Sequence, residues 1–230
     1  MRAHAASSLL VNTLAALVVL MALIGLALFG AAGTLRFWQG WTFLGVYTGA
    51  SSLISVWLAR NDRALLQRRL KGGPTAEAEP RQKLIMSLAS LAFVALIVVP
   101  GLDHRFGWSR VPTPVVILGD AMVAGGFFMA WLVFRQNSFT ASTIQVAQGQ
   151  RLVDTGPYAL VRHPMYAGSL VLMLGIPLAL ASWWGIAAFA ALKLVVVWRL
   201  LDEEALLTRE LPGYAAYRSR VRFRLAPGIW

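Results

Sequence analysis

The chain has 230 residues, 58% of them hydrophobic and only 13% charged, whereas soluble domains are closer to half apolar and a quarter charged. The apolar residues lie in long blocks, which excludes an ordinary soluble domain and describes an all-α, polytopic membrane helix bundle. With no cysteine, disulfides, a thiolate nucleophile and Cys-ligated metal are excluded. The net charge of +11 sits in short loops between apolar blocks, where orientation signals belong, and does not form a nucleic-acid surface.

Residues 9–32 carry no charge and exceed a signal-peptide core, so they are expected to be a retained first span. A short turn with Trp38 and Trp41 leads into a second span over residues 41–59. Residues 60–83 are hydrophilic, and their start, through Lys71, is expected to form a basic helix on the lipid surface. Gly72-Gly73-Pro74 breaks that helix, and residues 72–80 are linker-like. A third span covers 84–102, a loop with His104 covers 103–112, and a fourth span over 115–134 contains Asp120. Residues 135–163 are polar.

The apolar run that starts at Pro164 is too long for one helix and breaks at Ser182-Trp183-Trp184-Gly185. The pieces, 164–181 and 186–201, are expected to form a tight helical hairpin with the tryptophans at its tip. From Asp202 onward the tail is polar. The chain thus divides into N-terminal transmembrane helices (1–134) and a region holding the hairpin and tail (135–230), about six hydrophobic segments in all. Lys/Arg counts of seven in 60–83, three in 135–163 and six in 199–230 place these segments and both termini in the cytoplasm. Asp120 and Lys193 are expected to pair with each other or with polar neighbours inside the bundle. Gly125-Gly126 suits close helix packing.

Chemistry concentrates in Gly156-Pro157-Tyr158 and Arg162-His163-Pro164-Met165-Tyr166-Ala167-Gly168. Pro164 suits the first turn of a helix and keeps His163 out of it. Arg162 and His163 are thereby held at the mouth of a span, beside its free N–H groups. The second cluster is Asp202-Glu203-Glu204 with Tyr214, Tyr217 and Arg220 beyond it. Acids just past a helix C-terminus oppose its dipole and need basic partners or a ligand. A closed hairpin brings them to Arg162 and His163. The bland alternative pairs them with Arg199 or Arg209.

Together these strings resemble the isoprenylcysteine carboxyl methyltransferase family, whose wider group includes the phospholipid N-methyltransferases. The resemblance covers residues 135–230. It implies S-adenosylmethionine in a cytoplasm-facing pocket lined or closed by Tyr158, His163, Tyr166, Glu204, Tyr214 and Tyr217. It also implies catalytic roles for Arg162 and Arg220, with Glu203 beside them, and no metal. The expected partners are a lipophilic or lipid acceptor and membrane lipids, with a carboxylate, as in prenylcysteine methylation, among the acceptor groups. An amine acceptor would make Glu203 a candidate base. Two other readings stand: an NADPH-dependent reductase related to the sterol reductases, and a non-enzymatic lipid-binding membrane protein.

Overall fold

The computed structural model describes residues 2–70, 72–140, 142–144 and 149–230. Its α-helices are α1 (Arg2–Ala32), α2 (Trp38–Asn61), α3 (Arg63–Leu70), α4 (Pro80–Phe106), α5 (Thr113–Gln136), α6 (Pro164–Ala179), α7 (Gly185–Glu210) and α8 (Tyr214–Arg220). No strand occurs among the described residues. Within α1 the segment Leu9–Ala32 is long and apolar enough to cross a membrane, as are α2, α4 and α5. The protein is a polytopic helical membrane bundle, and α6 and α7 form its terminal hairpin.

The two legs of the hairpin are unequal. The 16 residues of α6 span about 24 Å, less than a hydrocarbon core of about 30 Å. The 26 residues of α7 reach about 39 Å. Asp202, Glu203 and Glu204 therefore lie inside α7, not past its end as the sequence suggested. The helix continues because Ala205, Leu206 and Leu207 are good helix formers and the acids find bases on neighbouring elements.

Two other boundaries differ for local reasons. The basic stretch after the second span breaks at Asp62, whose carboxylate accepts the Leu65 N–H at 2.9 Å and caps α3. Leu65 and Leu66 are then buried with Leu58 and Phe134, so α3 is docked on the bundle; Lys71 lies outside the described residues. At the opposite end α4 runs through the expected loop to Phe106 and stops at Gly107, in the left-handed conformation with φ 65°. His104 is thus helical and stacks on Phe37 at 4.0 Å. Buried Asp103 accepts Ser109 N–H at 2.7 Å, Ser109 Oγ at 2.6 Å and Ser182 Oγ at 2.5 Å. This pins the hairpin turn to the end of α4, with Trp183 and Trp184 exposed beside it.

A seam of glycines sets the packing of α6. A Cβ at Gly119 would stand 2.2 Å from Ala179 N, one at Gly126 2.5 Å from Leu172 Cβ, and one at Gly175 2.7 Å from Gly119 O. Backbones meet there with no room for a side chain, as in small-residue interfaces of membrane helices. Gly125 faces open space, so Gly126 alone of that pair serves the contact. α6 consequently packs chiefly on α5, α7 chiefly on α4, and the legs touch each other less than either touches its neighbour. Asp120 on α5 keeps its Oδ1 buried without a hydrogen-bond partner, while Lys193 is exposed on α7; the two form no ion pair. Gly119→Val is expected to destabilise the bundle by about 1–3 kcal/mol through overpacking, whereas Gly125→Val stays near wild type. Thermal unfolding in detergent compares the two.

Candidate active site

The site begins at a 3₁₀ turn, Gly156–Ala159, that reverses the chain ahead of α6. Pro164 opens α6, and the two residues before it are held by the C-terminal tail. Arg162 N–H and His163 N–H donate to Phe223 O and Arg224 O, each at 2.9 Å. The Arg162 side chain is buried. Its Nη1 donates to Val221 O at 2.9 Å and Arg222 O at 2.7 Å. Its Nη2 reaches Glu204 Oε1 at 3.0 Å. Two stretches about forty residues apart are thus joined by one buried ion pair.

Glu204 collects further partners. Arg224 Nε lies 2.7 Å from it, Arg218 Nε 3.3 Å and His163 Nε2 3.6 Å. Burial alone would push its carboxyl up; the bonds from His163 and Arg224 and the Arg162 charge outweigh this and hold it at about 2. The bland pairings are not formed here: Arg209 bonds its exposed neighbour Glu210, and Arg199 bonds Glu77. Burial, and then the Glu204 and Glu203 charges, push the Tyr214 phenol up. Burial and then Tyr158 do the same for Tyr217, and burial raises Tyr158. These phenols stay protonated and act as donors and aromatic walls. Tyr217 OH donates to Tyr158 O at 2.7 Å, and Asn137 Nδ2 to Tyr158 OH at 3.0 Å.

The splayed hairpin leaves a cavity of about 680 Å³ between α4, α6 and α7. Its polar end is walled by Tyr158, Arg162, His163, Tyr214 and Tyr217. Its apolar end is walled by Phe93, Val94, Met173, Leu192 and Val196. These recur at helical spacing, with Ala89 and Phe93 on α4, Tyr166, Ser169 and Met173 on α6, and Leu192, Val196, Arg199 and Glu203 on α7. Where the two ends meet, Tyr166 OH donates to Glu203 Oε2 at 2.5 Å, and Arg199 is part of the wall.

Seven of the nine residues singled out in the sequence line this cavity: Tyr158, Arg162, His163, Tyr166, Glu203, Tyr214 and Tyr217. Glu204 is buried behind them, bonded to Arg162. Arg220 is not brought in; it is mostly exposed on α8, paired with Asp154, while Tyr214 and Tyr217 take the buried face. Arg199, Glu77 and Asn137 were not chosen from sequence. The one signal available was a cation, Arg199, at the end of an apolar helix.

Residues 114–213, from α5 to the threshold of α8, match the family model of the phospholipid methyltransferases. Over 122 residues the chain is 32% identical to protein-S-isoprenylcysteine O-methyltransferase B of Arabidopsis thaliana and 31% identical to its A counterpart. Over this region the chain is similar to membrane methyltransferases. The alignments cover 52% of this chain and 57% of each relative, so it spans a little over half the length of the curated relatives it matches. The residues that match the family model contain both the Arg162 and the Glu204 sides of the cavity, while α1 to α4 and the tail strap lie outside them.

Replacing Glu204 by Gln strands three arginines around a neutral group and is expected to cost about 3–5 kcal/mol, as breaking buried pairs does. The folded carboxyl titrates near 2 against an ordinary 4.5, so its stabilisation is complete above that ordinary value and is lost as pH falls toward 2. Unfolding midpoints from pH 6 to pH 2 should fall for the wild type and lose that component in Glu204→Gln.

Proposed function

We propose that the protein is a membrane-integral methyltransferase that uses S-adenosylmethionine and a lipophilic acceptor. The observation that carries this reading is that one cavity of about 680 Å³ has both a polar, phenol-rich end and an apolar end between helices of the bundle. A polar donor and an acceptor drawn from the bilayer need such a shared space. The residues fit the donor: Arg162 Nε is buried without a protein partner in the cavity wall, ready for a carboxylate. Tyr158, Tyr214 and Tyr217 offer faces for an adenine ring and for a sulfonium charge.

S-adenosylmethionine, when bound, supplies an electrophilic methyl group. What the chain contributes is alignment and exclusion of water, the main needs of such a displacement. Phe93, Val94, Met173 and Leu192 take the hydrocarbon of the acceptor. Tyr166, Glu203 and Arg199 receive its polar group. An amine acceptor would lose its proton to Glu203, and a carboxylate acceptor would be held by guanidinium N–H groups. Arg162 serves mainly through its Nε and by fastening the start of α6, and Glu204 by fixing Arg162. Arg220 lies outside the cavity, and nothing in this reading rests on it. The Lys/Arg distribution supports a cytoplasmic placement of the polar end.

Titration calorimetry in detergent should show saturable S-adenosylmethionine binding. Tyr158→Ala is expected to weaken it about tenfold or more, since base–aromatic stacking is worth about 1–3 kcal/mol. Arg220→Ala should leave it within about twofold, as for an exposed pair. Saturable NADPH binding with none of S-adenosylmethionine would overturn the reading in favour of a reductase.

A further inference from the structure

Glu77 lies between α3 and α4, in the stretch whose composition reads as a linker and outside the residues that match the family model. Its side chain is nonetheless 1% exposed. Its Oε1 accepts Arg199 Nη2 at 2.7 Å, and its Oε2 accepts the Ile144 N–H at 3.2 Å. Arg199 also donates to Gln82 Oε1 at 3.0 Å and to Ser142 O at 2.9 Å. Glu77 is not part of the cavity wall, whereas Arg199, Tyr166 and Glu203 are.

Two carboxylates, Glu77 and Glu203, therefore face one guanidinium, with the Tyr166 hydroxyl close to it. The Arg69 cation also faces Arg199. A poorly solvated guanidinium does not remain without a counter-charge. While Glu77 satisfies Arg199, Glu203 keeps the 2.5 Å bond from Tyr166. Without the Glu77 charge, Arg199 draws on Glu203, whose charge already acts on it and which shares the cavity wall with it, and a guanidinium fork competes with a single phenol for that carboxylate. We propose that Glu77 is a positioning residue: by occupying Arg199 it leaves Glu203 to Tyr166 and keeps that carboxylate presented to the acceptor. This rests on the methyltransferase reading for its catalytic consequence, but not for its geometry.

The test labels the five tyrosines with 3-fluorotyrosine and follows them by fluorine NMR in detergent, with Tyr166→Phe assigning the resonance. Glu77→Gln should move the Tyr166 signal by more than its line width and leave that of Tyr47 in place. Glu77→Asp should hold Tyr166 near its wild-type position. The double variant Glu77→Gln/Arg199→Gln should return it toward that position, because no guanidinium is left to capture Glu203; mere loosening of the loop would not be repaired this way. In methyl transfer from radiolabelled S-adenosylmethionine into a membrane lipid extract, Glu77→Gln should lower kcat about tenfold or more with KM for S-adenosylmethionine within about twofold. A stationary Tyr166 signal in Glu77→Gln, or a double variant displaced as far as the single one, would overturn the proposal. If the wild type transfers no methyl group, the functional reading falls, while the fluorine spectra still decide the role of Glu77.

Discussion

The buried contact between Arg162 and Glu204 is the constraint on which the rest of the structure depends. Removing two charges from water is expensive, and such a pair is tolerated only where geometry and further hydrogen bonds are good. Here both conditions hold, since Arg162 also binds two tail carbonyls and Glu204 also meets Arg224 and His163. What this cluster fixes is register. The start of α6 must stand beside the sixth turn of α7, and the tail must run across both.

The glycine seam does the complementary work. By drawing α6 against α5 with backbone-to-backbone contact, it separates α6 from α7 along part of their length. The turn, pinned through Ser182 to Asp103, prevents the legs from parting at the other end. The result is a wedge-shaped space whose walls change from phenols and charges to aliphatic side chains along the helices. A helix pair packed directly on itself would have had no such space.

Much of this was legible in the chain. Long uncharged blocks gave the spans, and the Ser-Trp-Trp-Gly break gave the hairpin. The Arg-His-Pro corner with the distant acids gave a pocket from two stretches. What was not legible depends on contacts between segments far apart. The burial of Glu77 cannot be inferred from a Gly- and Pro-containing stretch, because it is decided by Arg199 more than a hundred residues away. Arg220 shares a short helix with Tyr214 and Tyr217, and local spacing could not say that only the tyrosines turn inward. The end of the last helix was misplaced because acidic residues just past a helix end were expected, whereas here α7 continues and carries them into the protein's own basic cluster.

The most direct test of the central claim is a double-mutant cycle on Arg162→Met and Glu204→Gln, read as unfolding free energy in a detergent where unfolding is reversible. Residues in direct contact couple by about 0.5–3 kcal/mol, and this account expects a value of at least about 1 kcal/mol. Additive effects, with no coupling between the two positions, would contradict it.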